Sequence, residues 1–280
     1  MVNTASSGSP RLFITTQNST MVNITTSERL QNDIKSQIDQ ETEVNSSLQI
    51  YTDLSGIMIQ SSKPVAVFSA VLGLLNPSFY LMEQLPPVSE LDVTYIVPPN
   101  HKKPETVIKV ISEENTVFTI TSNNGTKTIS LIAGVPHEIE MLNDDSSYIQ
   151  SQAPILVTSM THRPLDLAAG DMYYTVVPGM RHYQTKYKNI IPQGWTNHYI
   201  AVMITQSSIE NLRVNGQPLN NERIRILKNN IAEGLDFSVI VAEVEEGELT
   251  LESNDNVPFG LMVYGSRNGG GYGFAGSGFR

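Results

Sequence analysis

Ile59-Gln60-Ser61-Ser62-Lys63-Pro64-Val65-Ala66-Val67-Phe68-Ser69-Ala70 is written again, little altered, as Ile149-Gln150-Ser151-Gln152-Ala153-Pro154-Ile155-Leu156-Val157-Thr158-Ser159-Met160. A looser third copy runs Leu251-Glu252-Ser253-Asn254-Asp255-Asn256-Val257-Pro258-Phe259-Gly260-Leu261-Met262-Val263-Tyr264-Gly265. In each copy a polar turn hands over, through a proline, to a run of apolar residues. Proline fixes φ and carries no N–H, so it belongs where strand pairing has not yet begun. Nearly continuous apolar residues after it read as a strand buried on both faces. Each copy, with the residues before it, reads as the central hairpin of a repeated unit.

Upstream of each copy stand two β-branched runs about a polar turn. They are Phe13-Ile14-Thr15 with Met21-Val22-Asn23-Ile24, Val107-Ile108-Lys109-Val110 with Thr116-Val117-Phe118-Thr119, and Tyr199-Ile200-Ala201-Val202 with Leu212-Arg213-Val214. Two such runs about a turn predict a hairpin. Asn123-Asn124-Gly125 and Asn215-Gly216 are tight-turn signals. Within 27–43, Leu30, Ile34 and Ile38 recur at helical spacing behind Ser27, so this segment reads either as a short amphipathic helix or as irregular strands.

Apolar strands ending in Val97-Pro98-Pro99 and Val177-Pro178-Gly179 close two of the units. The chain therefore divides into a flexible leader over 1–10, β repeats over 11–99, 100–179 and 180–266, and a Gly/aromatic tail over 267–280. Repeats of about 80–100 residues with alternating strands predict an all-β fold of three tandem β-sandwich-like (Ig-like) units. A β-propeller-like ring is the alternative, with two blades per unit.

Composition narrows the function classes. Hydrophobic residues make up 40% and charged residues 16% of 280 residues, enough apolar surface for a packed core. The net charge of -10 and scattered Lys and Arg argue against a nucleic-acid partner, whose phosphates need clustered cations. No apolar run approaches the length of a membrane-spanning helix. The absence of cysteine removes disulfides and thiolate chemistry. Glycosylation sequons stand at Asn18, Asn23, Asn45 and Asn124.

His101, His137, His162, His182 and His198 show no metal-ligand spacing, and no Gly-x-Ser-x-Gly elbow marks a nucleophile. Carboxylates gather at Asp144-Asp145, Asp166 with Asp171, Glu243-Glu245-Glu246-Glu248 and Asp255. They read as solvated acidic edges, with calcium as the one cofactor such loops would take. Trp195, the single tryptophan, is a core plug or an anchor for a partner. With His182, Tyr183 and His198 it falls in an irregular stretch between copies of the motif, and these four are the candidate partner-binding residues. The tail around Tyr272, Phe274 and Phe279 reads as a closing loop or a frayed end.

Several phrases together resemble the N-terminal domain family of the IgGFc-binding protein. They are Ser61-Ser62-Lys63-Pro64-Val65-Ala66-Val67, Glu83-Gln84-Leu85-Pro86-Pro87, Tyr95-Ile96-Val97-Pro98-Pro99, Ala153-Pro154-Ile155-Leu156-Val157, Pro258-Phe259-Gly260 and Gly271-Tyr272-Gly273-Phe274-Ala275-Gly276. The chain departs from the family's vertebrate members in lacking their cysteines, including near Ser78. The resemblance implies a secreted, extracellular matrix or mucus setting and brings no catalytic residue with it. The expected function is a non-enzymatic structural or adhesive module working through protein or glycan contacts, with self-assembly as a further mode. A calcium-dependent carbohydrate-binding module and a hydrolase of matrix polymers are the alternatives.

Overall fold

The computed structural model describes residues 9–25, 41–44, 47–50, 54–73, 79–101, 105–142, 145–161, 173–267 and 270–276. The segment read as helix or strands over 27–43 lies outside these residues, except for its last three, which are extended. The chain is all-β, and its hydrogen-bonded pairs sort the strands into three units. The first holds β1 (Ser9–Thr15), β2 (Thr20–Thr25), β3 (Glu41–Val44), β4 (Ser47–Ile50), β5 (Met58–Ser61), β6 (Ala66–Gly73) and β7 (Phe79–Leu85). The second holds β8 (Asp92–Val97), β9 (Glu105–Ser112), β10 (Thr116–Ser122), β11 (Gly125–Leu131), β12 (His137–Leu142), β13 (Ser147–Thr161) and β14 (Tyr174–Val176). The third holds β15 (Lys186–Ile191), β16 (Asn197–Thr205), β17 (Leu212–Val214), β18 (Gln217–Pro218), β19 (Ile224–Asn229), β20 (Phe237–Glu243), β21 (Gly247–Ser253), β22 (Gly260–Arg267) and β23 (Gly270–Ala275).

Each unit is sandwich-like, and among the described residues the sheets form no closed propeller. The first pairs β4-β1-β6-β7 with β3-β2-β5, and the third pairs β19-β20-β16-β22-β23 with β15-β21-β17-β18. In the second, all seven strands are tied through the long β13, which serves both layers. Its first half runs between β10 and β8, and its second half between β9 and β14. The ladder slips between Gln150 and Ile155, the residues flanking Pro154. A proline at that point interrupts no hydrogen bond that the next layer needs.

The motif is therefore a corner rather than the hairpin its sequence predicts. β5 and β6 lie in different sheets, as do β21 and β22, with Pro64 and Pro258 between them. The upstream pairs divide between the two sheets in the same way, each pairing antiparallel: β1 pairs β6 while β2 pairs β5, and β16 pairs β22 while β17 pairs β21. Two β-branched runs about a short turn look alike whether the turn folds them together or carries the chain to the facing sheet. Residues 92–97, grouped by sequence with the first repeat, pair with β13 of the second unit. Within the tail, Gly270–Ala275 forms β23 on the edge of β22, in place of the expected closing loop or frayed end, and Phe279 lies outside the described residues.

A tyrosine closes the corner in two units. Tyr95 donates its hydroxyl to the carbonyl of Ile155, the residue after Pro154, and accepts the backbone N–H of Asp92 at 2.8 Å. Tyr187 repeats this, donating to the carbonyl of Phe259, the residue after Pro258, at 2.6 Å and accepting Gln184 N–H at 3.1 Å. The phenol thus satisfies backbone groups left over where the strand changes sheets. Burial pushes the Tyr187 hydroxyl up to about 12 and raises that of Tyr95 further, so both stay protonated donors.

The units share cores. Along β16, Ile200, Val202 and Ile204 point into the third unit's own sandwich. Tyr199, Ala201 and Met203 point the other way, into one cluster with Ile108, Val110, Ile149, Ile155 and Val157 of the second unit. β20 and β22 divide their side chains in the same way. This is why these strands are apolar at nearly every position, and each fully buried Val, Ile or Leu contributes roughly 1.5–3 kcal/mol. The first unit buries Leu12, Ile14, Val22 and Leu54 with Ile111, Leu156 and Val176 of the second.

Candidate binding surfaces

Trp195 lies in the turn between β15 and β16, half-buried. Its ring meets Tyr272 of β23 edge-on, centroids 5.2 Å apart, and the Arg267 guanidinium lies 4.8 Å from its centre. Tyr272 in turn stacks on Phe274 at 6.1 Å and shares a 2.8 Å hydrogen bond with His198 Nδ1. The arrangement follows from the tail's composition. A Cβ at Gly265 would fall 2.3 Å from the Tyr272 ring, and one at Gly273 would fall 2.2 Å from Tyr173. Glycines in β22 and β23 are the slots into which tyrosines pack. Arg267, Trp195, Tyr272 and Phe274 form one partly exposed patch of rings and a cation, the residue types that dominate binding hot spots.

The other three expected residues are placed differently. His198 is buried in β16, holding Tyr272 from beneath. His182 ends a single 3-10 turn over Met180–His182 and bonds the Glu90 carbonyl at 2.6 Å, tying the segment before β15 to the segment before β8. Tyr183 is buried against Phe237 and above Gly260, where a Cβ would meet its ring at 2.5 Å. Trp195 and His198 thus belong to one patch, whereas His182 and Tyr183 pack the interior. The sequence did not single out Arg267 or connect Trp195 to Tyr272, since pairing of the tail with β22 was needed to bring them together.

The acidic runs are largely neutralised. Glu243 pairs with Arg225, Glu245 with Arg223 at 2.5 Å, and Asp145 with Lys228 at 3.5 Å. Asp255 accepts hydrogen bonds from Ser253, Asn211 and Val257, and these bonds, Ser253 first, lower its carboxyl to about 2. Among the described residues, no three His, Asp or Glu side chains gather as metal ligands. Asp144, Asp166 and Asp171 lie outside those residues, as does Asn45. The asparagines of the other three sequons, Asn18, Asn23 and Asn124, are exposed.

Glu83 stands apart among the carboxylates. It sits on β7 opposite Ser69, at the seam where β7 meets β14 of the second unit. Burial pushes its carboxyl up to about 8, against the opposing influence of hydrogen bonds from the Val176 N–H and the Thr175 hydroxyl. A neutral acid beside Tyr174 therefore fills this seam at physiological pH.

A groove of about 610 Å³ opens beside the first unit's corner, between β5 with Pro64 and Val65 on one side and Gln84 to Val88 on the other.

The fold and these surfaces define a class: an all-β protein of repeated sandwiches whose strands switch sheets at proline corners. A family profile described as IgGFc binding protein matches residues 1–265 of the 280, and the chain belongs to that family. Searches of curated proteins and of solved structures return no match.

Proposed function

We propose that the protein is an extracellular, non-enzymatic structural or adhesive module that binds a protein partner through the Trp195–Arg267–Tyr272–Phe274 patch. The observation that carries this reading is the patch itself. Tryptophan, tyrosine and arginine are the side chains that most often carry interface energy, and here the central ring, Tyr272, is held by the Gly265 slot and the His198 bond. A preordered patch loses little side-chain entropy on binding. Family membership supports the protein-binding class, and immunoglobulin Fc is the first candidate ligand to try. The three exposed sequon asparagines agree with a secreted setting.

The test is surface binding of the whole chain to immunoglobulin Fc and to a panel of extracellular matrix proteins, with Trp195→Ala and Arg267→Ala alongside. The expected result is a ligand whose affinity falls about tenfold or more in Trp195→Ala, as truncation of a hot spot does. A panel in which nothing binds, or a ligand bound equally by both variants and the wild type, would refute the reading.

A further inference from the structure

Among the described residues, the corner groove of the first unit lacks the covering strand that the other two units have. In the second unit, the sheet edge before the corner proline is covered by β8, with Tyr95 opposite Ile149. In the third, β15 covers β21 in the same way, with Tyr187 opposite Leu251. In the first, β5 pairs with β2, and among the described residues no strand lies along its other edge. The far wall repeats as well. In the second unit β8 is clasped from outside by the segment after β14: Tyr95 bridges Gly179, and the Asp92 carboxylate accepts the Arg181 N–H at 2.8 Å. Leu85, Pro87 and Val88 occupy the corresponding place after β7, leading into the same kind of single 3-10 turn. The groove between Ile59, Ser61 and Val65 on one side and those three residues on the other has the position and walls of a strand site.

We propose that this groove accepts an extended strand of a partner polypeptide, antiparallel to β5, carrying a tyrosine whose hydroxyl reaches the Val65 carbonyl. Ser62 gives its N–H to Met21 of β2 at 3.0 Å, so strand alternation turns the amides of Ser61 and Ile59 outward into the groove. Main-chain bonds to that edge would supply affinity, and the tyrosine would supply register, as in strand-addition recognition generally. β8 and β15 are the templates: Asp92-Val93-Thr94-Tyr95-Ile96-Val97 and Lys186-Tyr187-Lys188-Asn189-Ile190-Ile191. This site is separate from the aromatic patch, so either can fail without the other.

The experiment titrates fluorescent peptides copying residues 91–97 and 185–191 into the whole chain and follows polarisation. Saturable binding is expected, about fivefold weaker for peptides with Tyr→Phe, which lose one hydrogen bond. Ser61→Pro removes an outward donor at an exposed position, and Pro87→Trp fills the groove from the opposite wall. Each should abolish binding while leaving the far-UV spectrum unchanged. Absence of saturable binding, or equal binding to a folded Ser61→Pro protein, would overturn the proposal. Hydrogen exchange on the free protein is the second arm, with fast exchange expected at Ile59 and Ser61. Protection there without peptide would mean that this chain fills its own groove, and protection rising with concentration that a second copy does. Either result overturns the partner strand.

Discussion

Replacing Glu83 with glutamine should make the protein more stable in alkali and remove much of its pH dependence. In the folded chain burial against β14 holds the carboxyl at about 8, whereas an unfolded chain has it near 4.5. Between those values the folded state binds the extra proton, so stability falls as pH rises. The stabilisation is complete below about 4.5 and is lost as pH passes through 8. Each pH unit in that window is worth about 1.4 kcal/mol, so the whole window carries on the order of 5 kcal/mol, an upper figure because the side chain is not fully sealed from solvent. Glutamine imitates the neutral acid and can still accept from the Val176 N–H and the Thr175 hydroxyl. Urea denaturation followed by circular dichroism at pH 5, 6.5 and 8.5 should give similar midpoints for both proteins at pH 5. At pH 8.5 the variant should lie well above the wild type. Midpoints that move in parallel with pH would refute the burial argument, since every other titrating group is common to both chains.

Two further tests bear on the corner and the tail. Tyr187→Phe removes a hydroxyl that serves Gln184 N–H and the Phe259 carbonyl at once, and should cost about 1–3 kcal/mol by denaturant titration, with Tyr95→Phe giving a similar loss. A loss below about 0.5 kcal/mol in both would mean that water replaces the phenol at no cost. Gly273→Ala should destabilise by about 1–3 kcal/mol, because its Cβ would fall 2.2 Å from a Tyr173 ring that stacks on Tyr264. Gly270→Ala, whose Cβ would meet only the edge of Trp195 at 3.4 Å, is the control and should change stability little.

The repeat, the all-β class and the apolar strands after each proline were legible because they depend on local pattern. Val157, Val202 and Val263 have to be apolar wherever their strands run. Which strand pairs with which was not legible in the same way. Ile14 and Val22 flank a short polar turn, and nothing in those residues says whether the chain folds back in one sheet or crosses to the other; the competition for β5 and β6 decides it. The candidate residues divide along the same line. Trp195 gains Arg267 and Tyr272 as partners only through long-range pairing, of β16 with β22 and of β22 with β23. His198, polar and next to a loop in sequence, is buried because Tyr272 arrives above it. The tyrosine latch was hard to recover, since Tyr95 and Tyr187 stand at unequal distances ahead of Pro154 and Pro258 and its signal is a single residue in each copy.

Because the corner is where layers exchange strands, it is also where backbone donors and acceptors are most easily left over. Two units meet that demand with a tyrosine and an added strand drawn from the chain itself. In the first unit, the described residues provide the proline, the buried strand after it and the clasping segment from Leu85 to Val88. They do not provide the strand between. An outward-facing strand edge bounded by apolar residues is an unfavourable feature for a free surface, and proteins usually blunt it with charge. Ile59, Ser61 and Val65 bring none, and the carboxylate lining the groove is that of Glu113, just after β9. The same motif is therefore architecture in two of its copies. In the remaining one the described residues leave an open edge, whose outward amides and shape are what the proposed partner strand would fit.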